Sequence, residues 1–332
     1  MTSDIRIGQY VAIKPNEVKW KCSASNFVDT CGIKLPLATY SKTTTNATDM
    51  GELARYYDSL EVAREVVFKE GDPVEVRLGY DGDNTLRFKG FVNRVNRSTP
   101  LEVECEGYSY QLKNVVFNKS YTKTKLKNIL LDLTAETDIK LSPYIPDLTL
   151  TNVWFKNTPG LKVLEWFQKE CLCRVFFDFD TLFVGASKFA IPKPTEILRM
   201  GWNTAADREL KKTVTDGQTV INIVVKEPSG SVRRVKSDQR RYSNVKEVKA
   251  RAGLSEEWLK KVANELQQDE NYKGYQGDVT AFLVPTFGKG YVAEIWDGRF
   301  PERAGNYFVE TVEGSLGSGG GRQKLTLRHY GT

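Results

Sequence analysis

The amino-acid sequence predicts an α+β fold that consists mainly of antiparallel β-strands. Three features predict it: strand-like alternation near both ends of the 332-residue chain, helical spacing of apolar residues between them, and a basic segment inserted into the last third. The apolar fraction is 40% and the charged fraction is 27%, values that are typical of soluble globular proteins. A chain of this length buries a large core without disulfides, so several packed units are expected.

The strongest strand signals lie in the first third of the chain. Apolar and polar residues alternate over 74–78, Asp81-Gly82 supplies the chemistry of a tight hairpin turn, and a return strand is predicted over 86–95. The alternation resumes over 101–105. Three strands joined by short turns predict an antiparallel meander that closes into a barrel or a sandwich. Ahead of them, a capping-box pattern predicts a short helix over 49–60.

Helical patterns dominate the middle of the chain. Apolar residues recur at helical spacing over 126–133. Thr158-Pro159 predicts the N-cap and the first-turn proline of a second helix that continues to Cys171. The segment 174–184 has a tight turn at its centre and predicts a hairpin. Two helices and a hairpin predict a small α/β unit, which ends in the Pro-rich linker 191–194.

The last third returns to strands around a basic, helical segment. A β-branched run over 220–225 predicts a strand, and Ser255 predicts the N-cap of an amphipathic helix that carries Trp258 and Leu259. The glycine-rich segment 314–321 predicts a flexible hairpin loop, since it lacks the Gly-Lys-Ser/Thr ending of a phosphate-binding loop. Four further strand runs are predicted over 279–284, 291–295, 307–312 and 324–330.

Cysteine and histidine are too scarce for most catalytic and metal-binding constellations. The chain has one histidine, His329, and no C-x-x-C pair. The sequence therefore predicts no catalytic residue, metal site or cofactor. The N-terminal residues lack the apolar core of a signal peptide, which predicts that the chain stays in the compartment that makes it. The odd number of cysteines predicts free, buried thiols at Cys22, Cys31, Cys105, Cys171 and Cys173.

Three acidic residues share one face of a predicted strand: Glu102, Glu104 and Glu106. Successive residues on one face of a strand stand roughly 6.6 Å apart, close to the separation of the two acids in an inverting glycosidase. Such enzymes place their acids on opposite sides of the substrate, normally on different elements. The geometry therefore favours a solvated strand face over a catalytic pair.

The net charge of the chain is concentrated in the segment 226–251. This segment contains nine Lys or Arg and three acidic residues, a net charge of +6 that equals the charge of the whole chain. A solvated arm is the simplest interpretation, and contact with a polyanion or an acidic protein surface is the alternative. Base stacking is poorly supported because Tyr242 is the only interleaved aromatic residue. The candidate contact residues are Arg233, Arg234, Lys236, Arg240 and Arg241.

Several of these segments, in this order, resemble the baseplate hub proteins of phage tails, the late control gene D protein-like family. The N-terminal match reads FxxGDPVxVxLGY over 68–80, FxGFVxxV over 88–95 and PLEVxCEG over 100–107. The second match is a helix followed by the hairpin FFDFDTLFVG over 176–185, and the third is GNYFVExV over 305–312. The order of the motifs carries the resemblance, which spans most of the chain beyond about residue 60.

The resemblance implies two β-barrel domains, at 1–115 and 196–332, with a small α/β domain at 116–195 between them. The basic, helical insertion at about 226–275 then belongs to the second barrel. The resemblance also implies a structural protein without enzymatic activity. It further implies that three copies form a pseudo-sixfold ring that connects the tail tube to the central spike or tail tip.

The implied location is the tail baseplate of the virion, which is assembled in the host bacterial cytoplasm. The implied partners are further copies of the chain, tail tube or adjacent baseplate proteins, and a separate spike or tail-tip protein. Neither a cofactor nor a membrane is implied, and DNA is met only as it passes through the channel.

The ring gives both charged segments an expected place. Glu102, Glu104 and Glu106 are candidates for the channel wall, where they would repel DNA phosphates, and a solvated outer face is the favoured alternative. The segment 226–251 is expected to project away from the channel and contact a neighbouring tail protein, because positive charge on the wall would retain DNA. Two other functions remain open: a cell-wall hydrolase or peptidase of the tail tip, and a basic nucleic-acid-binding module.

Overall fold

The computed structural model describes residues 1–36, 68–96, 98–186, 192–213, 219–238 and 244–330. The helix predicted over 49–60 lies outside these residues, as do Arg240 and Arg241 of the candidate basic patch. Within them, the chain is mainly antiparallel β, as predicted. None of the helices in these ranges combines the length and the apolar character that a membrane span requires.

Six strands form the N-terminal half of the molecule. They lie in the order β1-β4-β5-β6-β3-β2, and every neighbouring pair is antiparallel. The predicted meander is confirmed as β4, β5 and β6. Residues such as Ile5, Val76 and Val103 share an apolar core because alternate side chains of a strand point to the same face. The strands are β1 (Thr2–Ile7), β2 (Glu17–Ser23), β3 (Thr30–Leu35), β4 (Pro73–Tyr80), β5 (Asp83–Asn96) and β6 (Leu101–Glu106).

The middle unit contains two helices, a two-stranded ribbon and a three-stranded sheet. Its elements are β7 (Val116–Lys125), α1 (Leu126–Leu133), β8 (Lys140–Leu141), β9 (Thr149–Pro159), α2 (Gly160–Glu170), β10 (Arg174–Asp178) and β11 (Thr181–Gly185). Both predicted helices and the predicted hairpin are confirmed. Helix α2 starts one residue later than predicted, with Pro159 and not Thr158 at its N-cap. Pro159 pairs with Val116 across the ribbon, which keeps the end of β9 extended.

The remaining elements build the C-terminal half and the insertion within it. They are β12 (Thr195–Arg199), β13 (Thr204–Thr213), β14 (Thr219–Lys226), β15 (Val232–Lys236), β16 (Asn244–Ala250), α3 (Glu256–Glu270), β17 (Gly274–Ala281), β18 (Val292–Trp296), β19 (Gly305–Gly317) and β20 (Gly320–His329). The flexible glycine loop predicted over 314–321 is wrong. Strands β19 and β20 pair as far as Gly317 opposite Gly320, so only two residues form the turn.

One ladder joins the two halves into a continuous sheet. Strand β2 pairs with β19 from Ser23 opposite Thr311 to Val18 opposite Leu316. The resulting sheet has twelve strands, and its two halves pack separate apolar cores. No closed barrel is found among the described strands, so the division into two barrel domains stays a prediction.

Gly314 makes this junction possible, because it lies directly across the ladder from buried Trp20. A Cβ atom at position 314 would lie 1.9 Å from the indole ring. We therefore expect Gly314→Ala to lower the free energy of unfolding by about 1–3 kcal/mol, since the ring has to shift. Denaturant unfolding measures the change. The control is Gly32→Ala on β3, where the added Cβ meets no atom within 4 Å; equal losses in both variants would contradict the explanation.

The insertion forms its own small sheet and packs on the middle unit. Strand β14 lies between β15 and β16. Ile223 of β14 and Leu259 of α3 belong to the same apolar core as Val163 of α2. Ser255 caps α3 as predicted, because its side chain accepts a hydrogen bond from the Trp258 N–H. The insertion is flanked in sequence by strands of the C-terminal half, yet it shares its core with the middle unit.

Two polar contacts strengthen this attachment. The indole N–H of Trp258 donates to the Cys171 carbonyl at 2.9 Å, at the end of α2. Arg174, at the start of β10, pairs with Glu265 of α3 at 3.2 Å. Helix α3 is therefore held to the middle unit by apolar packing, a buried hydrogen bond and an ion pair.

Candidate functional surfaces

The acidic face predicted for β6 contains two exposed acids and not three. Glu102 and Glu104 project from the side of β6 opposite buried Val103. Glu102 pairs with Lys34 of β3 at 3.3 Å, and Glu104 accepts a hydrogen bond from the Asn96 amide at 2.6 Å. Each carboxylate thus has a polar partner on the neighbouring strand, an arrangement that is typical of a strand face in contact with solvent.

Glu106 departs from the sequence expectation because it is buried, with 7% of its surface exposed. Its carboxylate accepts a hydrogen bond from the Ser109 hydroxyl at 2.9 Å and pairs with Lys113 at 2.5 Å. Both partners belong to the 3-10 helix Tyr108–Lys113, which directly follows β6. The period of two places all three acids on one side of the strand, but the chain that follows covers only the last of them.

Arg233 also departs from its expected role in a partner-contact patch. Its guanidinium pairs with Glu227 at 3.0 Å and donates to the Leu254 carbonyl at 2.9 Å. The alternation of β15 places it on the same side of the strand as buried Val235. Arg233 therefore connects β15 to the segment that precedes α3, and its charge is paired with Glu227 within the chain.

Arg234 and Lys236 lie on the other side of β15 and are exposed. The register of the three-stranded sheet adds Lys226 and Lys249 to this side, together with one acid, Glu247. We call Lys226, Arg234, Lys236 and Lys249 the basic face. Residues from three strands thus form one positively charged surface, which the linear sequence shows only as a run of charges.

Two ion pairs, one buried and one half-buried, join the three parts of the molecule. Lys289, in the loop before β18, pairs with Asp29, in the loop before β3, at 2.5 Å, and their side chains are 6% and 8% exposed. Burial raises the pKa of the Asp29 carboxyl, and the Lys289 ammonium opposes this shift. Lys89 of β5 pairs with Asp180, in the turn between β10 and β11, at 3.0 Å. No pattern in the sequence predicts either pair.

A cavity of about 330 Å³ lies at this junction, between Arg87, Lys289 and Tyr291. Arg87 is only 4% exposed, and burial lowers its pKa to about 10. Its guanidinium donates to the Leu283 carbonyl at 2.6 Å and to the Gln323 side chain at 3.4 Å. Because the groups that line the cavity bond to other parts of the chain, the cavity belongs to the structural junction.

The predicted free thiols are confirmed, with Cys22 half-buried and the other four buried. Burial raises the pKa of Cys31, Cys105 and Cys173, so these thiols stay protonated and are poor nucleophiles. In the described ranges, no three His, Cys, Asp or Glu residues are grouped as a metal site requires.

Exposed aromatic side chains mark one end of the C-terminal half. Trp202 is 80% exposed, and Trp296 and Phe300 are each 49% exposed. Trp202 follows β12 and Trp296 ends β18, and these two strands pair side by side. The Arg199 guanidinium lies 5.1 Å from the centre of the Trp296 ring. We call Arg199, Trp202, Trp296 and Phe300 the aromatic end. Its only signal in the sequence is Trp202, which stands beside Gly201 in a turn.

No family model and no curated protein matches the sequence. Solved structures do. The chain is similar to the tail protein from Neisseria meningitidis MC58, at 12% identity and a TM-score of 0.67 over 99% of this chain and 96% of that one. It is also similar to the 43 kDa tail protein of prophage MuSo2 from Shewanella oneidensis, at 13% identity and a TM-score of 0.62 over 98% and 97% of the two chains.

A third similar structure is the E. coli c3393 protein, at 11% identity and a TM-score of 0.55 over 100% of this chain and 77% of that one. It is described as a component of the type VI secretion system with structural similarity to the T4 phage tail proteins gp27 and gp5. At these identities the similarity establishes the fold. The chain has the fold of phage tail proteins, which confirms the resemblance found in its sequence.

Proposed function

We propose that the protein is a structural component of a phage or prophage tail, a baseplate hub that joins the tail tube to the central spike or tail tip. The observation that carries this proposal is the extent of the fold similarity, which covers 99% of this chain and 96% of the Neisseria tail protein. A match over both full lengths indicates that the whole molecule, and not one common module, has the architecture of a tail protein.

The geometry of the molecule supports a mechanical role. The twelve-stranded sheet runs through both halves, a buried ion pair connects them to each other, and a half-buried pair connects the N-terminal half to the middle unit. The charged groups at the junction are bonded within the chain, so they stabilise its shape. A protein that connects a tube to a spike needs such a fixed shape. Copies of it can close into a ring through one repeated heterologous interface.

The charged surfaces fit this proposal in different ways. Glu102 and Glu104 are the exposed acids that would face DNA if β6 lined a channel, whereas Glu106 is enclosed by its own chain. The basic face lies on the insertion, which packs on the middle unit and whose sheet is separate from the sheet that contains β6. We assign the basic face to contact with an acidic surface of a neighbouring tail protein.

A reconstruction of the assembled tail tests the proposal. We expect three copies of the 37.6-kDa chain around one axis at the junction of the tube and the spike. A monomer in solution is compatible with this result, since assembly on a partner drives ring formation. Six copies, one copy, or absence of the chain from purified tails would each contradict the proposal.

The contribution of the basic face is tested by the double variant Arg234→Ser with Lys236→Ser. Both side chains are exposed, so the free energy of unfolding is expected to change by less than about 0.5 kcal/mol. Incorporation into tails is expected to slow, because complementary charges accelerate docking. In the unchanged protein incorporation slows as salt rises, whereas the variant is slow at every salt concentration.

The matched control for this variant is Arg208→Ser with Lys212→Ser, which removes the same two charges from exposed positions on β13. Quantitative assembly assays at low and high salt compare the two. If both variants assemble at the rate of the unchanged protein, the basic face is only a solvated surface.

A further inference from the structure

One edge of strand β7 is not paired with any strand in the described part of the chain. Strand β7 is ten residues long, and among the described strands it pairs only with β9, as a two-stranded ribbon. The backbone groups of Val116–Lys125 make no hydrogen bond on their other side with any part of the described chain. The opposite edge of the ribbon is different, since the Arg251 guanidinium donates to the Thr151 carbonyl at 2.9 Å.

The hydrogen-bond pattern shows which groups are free. The Leu126 N–H donates to the Leu148 carbonyl at 2.8 Å, at the end of the ribbon. In an antiparallel pair, residues alternate between facing the partner strand and facing away from it. Counting back from Leu126, the backbone groups of Thr124 face β9, and those of Lys123 and Lys125 point outward. The count stops there, because Thr122 and Asn152 do not pair and Asn152 has a positive φ of 50°.

An edge of this kind is a template for a further strand. The ten extended residues of β7 match the length of an added strand, and their outward N–H and C=O groups bond to no described residue. Strand β7 also contains no proline that would block pairing. The recognition mode is strand addition, in which backbone bonds supply affinity and flanking side chains select the partner.

The side chains along the edge select a negative charge. From residue 107 to residue 131 the chain contains five lysines and no acidic residue. Lys119 and Lys125 reach aspartates outside this stretch, at 4.0 and 2.8 Å, and these pairs are exposed to solvent. Lys123 has no ion-pair partner among the described residues. Lysines also discourage pairing with an identical, equally basic edge of a second copy.

We propose that β7 accepts an extended acidic segment of a different tail protein as a third strand of the ribbon. This inference rests on the proposed function, which places the chain beside other tail proteins. The added strand would pair with the outward backbone groups of Lys123 and Lys125, and its acidic side chains would meet the lysines of β7.

Amide hydrogen exchange with residue-level fragmentation tests the pairing on the isolated chain and on purified tails. In the isolated chain, the N–H groups of Lys123 and Lys125 are expected to exchange rapidly. In tails they are expected to exchange about 100-fold more slowly, the change that about 2.7 kcal/mol of local protection produces. The inward N–H groups of Thr124 and Leu126 are the internal control, since they are protected in both states.

The results that overturn the proposal are distinct from those that overturn the tail function. If the chain is present in tails and the two outward amides still exchange rapidly, the strand addition is wrong while the function stands. If the isolated chain shows protection that rises with its own concentration, the occupant is a second copy and not an acidic partner. Absence of the chain from tails removes the function, and the inference with it.

Substitutions at one position separate backbone pairing from charge. Lys123→Pro removes an outward N–H without touching the bonds to β9, and Lys123→Thr removes the same charge but keeps the N–H. We expect the proline variant to lose at least about tenfold in tail incorporation and the threonine variant to lose less. Lys119→Glu with Lys123→Glu keeps every backbone group and is also expected to fall at least about tenfold, because acid then faces acid. Normal incorporation of both the proline and the glutamate variants would overturn the proposal.

Discussion

Lys289→Ala is expected to lower the free energy of unfolding by about 3–5 kcal/mol, the usual cost of leaving one buried charge without its partner. The ammonium of Lys289 lies 2.5 Å from Asp29, and both side chains are almost fully enclosed. Without it, the Asp29 carboxylate is either desolvated without a counter-charge or protonated at a cost. Denaturant unfolding, followed by the fluorescence of the tryptophans, measures the loss.

The matched control is Lys211→Ala on β13, where the ammonium pairs with Glu209 at 3.0 Å with side chains 70% and 65% exposed. This exposed pair is screened by water, so its loss is expected to change stability by less than about 1 kcal/mol. The double variant Lys289→Met with Asp29→Asn removes both buried charges and is expected to recover part of the loss. If Lys289→Ala and Lys211→Ala are equally mild, the junction does not depend on the buried pair.

Trp258→Ala is expected to cost a similar amount, about 3–5 kcal/mol, because it removes a large buried side chain from the core that α3 shares with α2. It also leaves the Cys171 carbonyl without the indole N–H that now lies 2.9 Å away. Trp258→Phe keeps much of the packing and loses the hydrogen bond, so a smaller loss of about 1–3 kcal/mol is expected.

The control for this prediction is Trp202→Ala, which removes the same side chain from a position that is 80% exposed. Its effect on the free energy of unfolding is expected to stay within about 0.5 kcal/mol. Limited proteolysis adds a second measurement, since Trp258→Ala is expected to open the insertion to cleavage before the rest of the chain. Resistance equal to that of the unchanged protein would show that α3 does not need this anchor.

Elements whose pattern is local could be predicted from the sequence. The meander β4–β6 follows from its alternation and from the Asp81-Gly82 turn, and helix α1 follows from apolar residues three and four positions apart. The hairpin of β10 and β11 was visible for the same reason. In each case the residues that decide the structure are neighbours in sequence, so their spacing alone carries the signal.

The candidate surface residues were found only in part. Glu102 and Glu104 lie on an exposed face as their alternation indicates, but Glu106 is covered by the helix that follows and Arg233 is turned toward Glu227. A run of charges predicts that most of its members meet solvent. Which of the charged residues is buried depends on where the chain runs after the strand. The charge pattern does not indicate that path.

The sequence by itself determined the class of the fold: mainly antiparallel β, with free thiols and with ordered motifs that resemble those of phage tail proteins. Only the tertiary structure decided how its parts join. Gly314 meets Trp20 across the ladder between β2 and β19, and α3 packs on the middle unit although strands of the other half flank it. These contacts link residues far apart in the chain. They form because an apolar face is stabilised by removal from water, and a charge can be buried only when another part of the folded chain pairs with it. Such pairing leaves no periodic signal in the segments it joins.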